Sequence, residues 1–193
     1  VKSNPIIRAF AGENGELDEI PEKLYNYDHD SILSADTYQV VNADSSQQDA
    51  ILLSQKGVSF VMQGPPGTGK SQTITNIIAQ GLADGKRILF VSEKAAALEV
   101  VYKRISEVHL DDFCLALHNY KANKKDVLDE LAKSLELSPI KVKAEETAKL
   151  TELDTLKGFL GQCVSDIHEE KMPLEMSLYE VYGALAALED TIE

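Results

Sequence analysis

Little in this sequence could staple it together. Cys114 and Cys163 are the only cysteines among 193 residues. Two thiols so far apart make neither a disulfide framework nor a zinc pattern, and idle thiols fit a reducing cytoplasm. The four histidines, His29, His109, His118 and His168, show no metal-ligand spacing. No apolar run approaches the roughly 20 residues that cross a bilayer as a helix, so no membrane partner is expected. The opening Val1-Lys2-Ser3-Asn4-Pro5 lacks the charged head and apolar stretch of a signal peptide. It also lacks Met, as an excised piece would. Basic residues are scarce: 19 Lys and Arg face 32 Asp and Glu, a net charge of −13.

That acidity is concentrated at the two ends. Residues 1–60 carry ten acids and four bases, residues 151–193 ten and two, while residues 61–150 carry twelve and thirteen. Non-specific polyanion binding by the chain alone should therefore be weak, and any basic channel must be completed elsewhere.

Residues 1–36, with Gly12, Gly15 and Pro21 among scattered acids, read as surface loops with short helical pieces. Ser45–Gln55 reads as a helix that Ser45 can cap and Gln48 can complete as a capping box, with Gly57 as its stop. Val58–Gln63 is a short apolar run bounded by glycines, as a buried strand requires. Ser71–Ala83 places Ile74, Ile77, Ile78 and Leu82 at helical spacing and stops at Asp84-Gly85. Arg87–Ser92 predicts a second buried strand, Ala95–Glu107 a helix with Leu98, Val101 and Ile105 on one face, and Phe113–Leu117 a third strand. This β-α-β-α-β order implies an α/β fold, a parallel sheet flanked by helices.

Beyond Asn123 the strand signal ends. Asn123 can cap a helix carrying Val127, Leu128, Leu131 and Leu135, and Ser138-Pro139 breaks it. Residues 144–170 carry Leu150, Leu153, Leu156, Leu160, Val164 and Ile167 three or four apart, an amphipathic helix with a narrow seam. Met172-Pro173 breaks it, and Ser177 with Glu180 forms a capping box for a last helix. The division expected is a lead segment over 1–36, an α/β core over 37–124 and an all-α arm over 125–193.

The chemistry lies in Gly64-Pro65-Pro66-Gly67-Thr68-Gly69-Lys70-Ser71, which fits the phosphate-loop pattern G-x-x-x-x-G-K-[ST]. Glycines allow backbone angles that turn successive N–H groups toward one anion. Lys70 supplies a point charge for the outer phosphates, and the Ser71 hydroxyl is a hard oxygen suited to Mg²⁺. The helix that follows, starting through Gln72, aims its positive end at the same place. A nucleoside triphosphate, ATP, with Mg²⁺ is the ligand expected.

In the form G-P-P-G-T-G-K-S, preceded by Ala43-Asp44-Ser45-Ser46-Gln47-Gln48-Asp49-Ala50-Ile51, the chain resembles bacterial superfamily 1 DNA/RNA helicases, in the group related to the nonsense-mediated-decay helicase. The resemblance implies a RecA-like P-loop NTPase fold and a Q motif whose glutamine reads the adenine edge. Gln47 is the matching residue, with Gln48 the alternative by one register; an amide both donates and accepts, as adenine's edge demands. Ile88–Leu98 resembles motif Ia, which implies that Ser92 and Lys94 lie near single-stranded nucleic-acid phosphates. Leu117–Lys124 is similar to a stretch after the third strand, where Tyr120, Lys121, Lys124 and Lys125 could stack a base and hold a phosphate. The helical arm then corresponds to an insertion in the first motor domain.

Hydrolysis in such motors needs a carboxylate pair at the end of a buried strand. No run of four apolar residues here is followed by Asp-Glu. The expectation is a fragment cut inside the first motor domain, inactive alone, whose parent contributes a second RecA-like domain. A nucleotide-gated switch that unwinds nothing, and an oligomerisation module with a vestigial loop, are the alternatives.

Overall fold

The computed structural model describes residues 7–8, 11–12, 27–117, 124–138 and 143–189. The cap expected at Asn123 and most of the 117–124 stretch, including Tyr120 and Lys121, lie outside the described residues. The chain divides into two compact units, one of residues 1–29 and 37–140, the other of residues 30–36 and 141–193.

In the first unit, helix α1 spans Ser45–Gln55, α2 Lys70–Ala83, α3 Ala95–Glu107 and α4 Lys124–Glu136. The α1 cap is Asp44 rather than Ser45. Asp44 accepts the Gln47 N–H at 2.9 Å, and the Gln47 side chain accepts the Asp44 N–H at 3.1 Å. The box sits one residue earlier than Ser45 and Gln48 would place it because a carboxylate is the stronger acceptor where the helix dipole is positive. Helix α1 ends at Lys56-Gly57 and α2 at Asp84-Gly85, as the sequence implies.

Helices α1 and α3 both pack on α2. The apolar core is Ile78 from α2 with Val101 and Ile105 from α3, flanked by Ile74, Leu82, Leu110 and Cys114. Fully burying an aliphatic side chain contributes about 1.5–3 kcal/mol, so these three anchor the unit. Helix α4 packs against a 3-10 turn at Asp111–Phe113, where the Ser134 hydroxyl donates to the Asp112 carbonyl at 2.7 Å.

The three segments read as strands are not strands here. Residues 58–63, 87–92 and 114–117 carry no ladder pairing, and Phe113 ends the 3-10 turn. Among the described residues the one ladder is a two-stranded antiparallel pair, and no parallel pairing is seen. Much of these runs is open to solvent: Val61 is 92% exposed, Leu89 85% and Val91 75%. An open groove of about 600 Å³ lies between the 87–92 run, residues 113–117 and helices α2 and α3. An apolar run signals a face suited to burial, whereas a ladder needs a paired neighbour.

The second unit holds α5, Ala144–His168, a short hairpin of β1 (Glu170–Lys171) and β2 (Met176–Ser177), and α6, Leu178–Glu189. Met172–Pro173, cis, lies in the hairpin turn, where the sequence showed a break and no strand. Two-residue strands carry no period to read. The Ser177–Glu180 box forms as expected: the Ser177 N–H and hydroxyl each donate to Glu180 at 2.8 Å, and the Glu180 N–H donates to the Ser177 hydroxyl at 3.2 Å. Asp154 on α5 accepts the Ser34 hydroxyl at 2.6 Å and its N–H at 2.9 Å, and Lys157 donates to the Ile32 carbonyl at 3.0 Å. No described helix is long and apolar enough to cross a membrane.

Candidate functional site

The loop Gly64–Gly69 leads directly into α2, so Lys70 is the first helical residue and Ser71 the second. Gly69 caps the helix in the left-handed region, φ +76°, and Gly67 has φ +91°. Only glycine holds such angles without strain. The Gly69 carbonyl accepts the N–H groups of Gln72 at 2.8 Å and Thr73 at 3.0 Å. The Thr68 hydroxyl closes the loop on the Pro65 carbonyl at 2.9 Å. Pro66 is exposed at the loop's tip.

Lys70 bends back over this loop. Its Nζ donates to the Gly64 carbonyl and to the Pro65 carbonyl at 2.7 Å. Space there is tight. A Cβ on Gly64 would lie 2.7 Å from Thr68 Oγ1, and one on Gly69 would strike Gln47 Nε2 and lie 2.9 Å from Gln72 Oε1.

Of the two candidate glutamines, Gln47 reaches the loop. Its Nε2 donates to the Thr68 carbonyl at 3.0 Å while its Oε1 serves the α1 capping box. Gln47, Gly64, Pro65, Thr68, Gly69, Lys70 and Gln72 are thus brought together. Ser92 and Lys94 form a separate turn before α3, in which the Lys94 N–H donates to Ser92 Oγ at 3.3 Å. Lys94 is exposed and Ser92 half-buried.

The sequence reading missed a set of polar residues on α2. Thr73, Thr75 and Asn76 are fully buried. The threonine hydroxyls bond back to the Gly69 and Ser71 carbonyls. Asn76 instead reaches out to residues 40–41, and Gln80 to residue 38. Thr73, Asn76 and Gln80 stand three and four residues apart, so a polar stripe at helical spacing was the available signal.

Two groups near the core have perturbed acidity. Burial, then the Asp111 charge, pushes the Cys114 thiol up, which keeps it protonated and unreactive. Burial, followed by Glu130 and nearby acids, raises the Tyr102 phenol. Among the described residues no cluster of three His, Cys, Asp or Glu could hold a metal ion. Left-handed Gly67 and Gly69, the start of α2 and the Lys70 ammonium share one loop.

Comparison with known proteins agrees with this chemistry. The model of the AAA domain family matches residues 42–175. A 70-residue stretch is 47% identical to the uncharacterized ATP-dependent helicase MG140 of Mycoplasma genitalium, covering 36% of this chain and 6% of that protein. Its homolog in Mycoplasma pneumoniae is 46% identical over 69 residues, again 36% and 6%. The DNA-binding protein SMUBP-2 of Rattus norvegicus is 33% identical over 72 residues, 36% of this chain and 7% of that protein. The matched stretch thus spans less than a tenth of the length of these relatives. No solved structure gives a significant match.

Proposed function

The chain belongs to the AAA domain family, and on that premise we propose that it is the ATP-binding portion of a superfamily 1 helicase motor, of the bacterial group, working in the cytoplasm. The observation that carries the reading is the assembly of Lys70, the left-handed Gly67 and Gly69, and Gln47 around one loop at the start of α2. The names of the relatives support it, two as ATP-dependent helicases and one as a DNA-binding protein.

The residues present fit Mg·ATP. The tight approach at Gly64 and Gly69 leaves no room for side chains where phosphates would lie against backbone. In this reading the loop from Gly64 to Ser71 holds the phosphates and Lys70 leaves its two carbonyls to neutralise the outermost one. Ser71 offers its hydroxyl to Mg²⁺, which when bound withdraws charge from the phosphoryl oxygens. Gln47 turns its amide from the Thr68 carbonyl to the adenine edge, and Ser92 and Lys94 meet the backbone of a single strand. A second RecA-like domain of the same parent closes the site and couples turnover to movement along the strand. The chain alone is expected to hydrolyse almost no ATP, because no Asp-Glu pair follows a buried apolar run.

The test is Lys70→Ala in the full-length helicase. ATP turnover should fall about 10²–10³-fold, the scale of losing one group that stabilises developing charge. An unchanged turnover would refute the role of Lys70. Strand displacement by the unaltered full-length protein separates a motor from a nucleotide-gated switch, which would bind ATP and a protein partner and displace nothing.

A further inference from the structure

We propose that Asn76, assisted by Gln80, is a positioning residue that ties the base-reading side of the nucleotide site to the phosphate-binding helix. The inference rests on the ATP reading above and assigns a task to α2 that the phosphate loop does not explain.

Asn76 is fully buried. A buried amide is costly unless its polar atoms are served. Here the partners are the backbone of residues 40–41. Asn76 Oδ1 accepts the N–H of Val40 at 3.0 Å and that of Val41 at 3.1 Å, and its Nδ2 donates to the Val41 carbonyl at 2.9 Å. One turn further along α2, Gln80 Oε1 accepts the Tyr38 N–H at 3.0 Å. Two side-chain amides thus do for residues 38–41 what a neighbouring strand would otherwise do.

Packing cannot substitute for these bonds. Tyr38 is 49% exposed and Val40 38%, so little apolar burial holds the segment down. Three residues after Val41 comes Asp44, which caps α1 and holds Gln47 in its box. Gln47 in turn bonds to the Thr68 carbonyl in the phosphate loop. The result is a closed circuit: α2, residues 38–41, Asp44, Gln47, the loop and α2 again. Without Asn76 the path to Gln47 from one side is cut, while Lys70, Gly67 and Gly69 keep their local geometry. The loss should therefore fall on recognition of the base and spare recognition of the phosphates.

The experiment is calorimetric titration of the 193-residue chain and its Asn76→Ala variant with two probes, Mg·ATP and Mg·tripolyphosphate. The expected result is an ATP affinity lowered about tenfold and a tripolyphosphate affinity changed less than about twofold, the scale of losing several bonds on the base side only. Equal loss of both ligands, as a merely structural role would give, overturns the proposal, as does an unchanged ATP affinity. If Asn76→Ala does not fold, Gln80→Ala and Val40→Pro, each removing one bond of the clamp, must show the same split in smaller measure, and a parallel loss overturns it. A wild-type chain that binds neither probe overturns the phosphate-loop reading itself, which no comparison between variants can do.

Discussion

Helices α2 and α5 solve opposite problems. Within its 14 residues α2 buries seven, four of them Thr73, Thr75, Asn76 and Gln80. Helix α5 is 25 residues long and buries none; Leu156, Phe159, Leu160 and Val164 are all more than half exposed. The first is held by named partners at short range, the second by its own backbone ladder and a few bonds at its middle. A functional site needs fixed geometry, and only the first arrangement supplies it. Long helices with exposed seams keep their shape without specifying a neighbour.

This contrast can be broken by substitution. The largest effect is expected at the core beneath α2. Ile105→Ala should destabilise the first unit by about 2–5 kcal/mol, the usual cost of emptying a well-packed aliphatic site. Leu160→Ala on α5 should change stability by no more than about 0.5 kcal/mol, as surface changes do. Amide hydrogen exchange, read separately for α3 and α5, reports both numbers in one experiment. Comparable losses at the two positions would mean that the α5 seam is covered in solution.

A smaller effect is expected at Asp44. Asp44→Ala removes the α1 cap and should cost about 1 kcal/mol, visible as faster exchange of the first-turn amides of α1. Retained protection there would return the capping role to Ser45.

The smallest effect concerns acid. Two hydrogen bonds from Ser34, the side-chain one first, hold the Asp154 carboxyl below its usual range. The Ser177 N–H and then its hydroxyl do the same for Glu180. Both folded-state values are depressed, so each group stabilises the fold at pH above the ordinary carboxylate range and loses that contribution as pH falls through the folded value. The α5–α6 unit should therefore loosen slightly below about pH 4. Circular dichroism of the native chain beside Asp154→Asn checks this: the variant should show a flatter acid limb, and identical limbs would remove Asp154 from the account.

What could be read in the sequence was local. The bounds of α1 and α3, the stops at Gly57 and Gly85 and the Ser177 box depend on residues within one helical turn, and they agree with the structure. The phosphate-loop residues were legible because their spacing is itself the chemistry. The Asn76 clamp was not, since its partners lie 35 and 36 residues away, and the Ser34–Asp154 bonds join residues 120 apart. The runs at 58–63, 87–92 and 113–117 were read as strands from their length, composition and alternation with helices, and a ladder is a property of two segments, never of one.

The Lys70 ammonium, bonded to two carbonyls of its own loop, has a thermochemical consequence. Any polyphosphate entering the loop exchanges partners with Gly64 and Pro65 instead of meeting an idle cation, so much of the gross attraction cancels in the net heat. Acylation of that amine would strike twice, removing a positive charge from the loop and the brace between its Gly64 and Pro65 carbonyls.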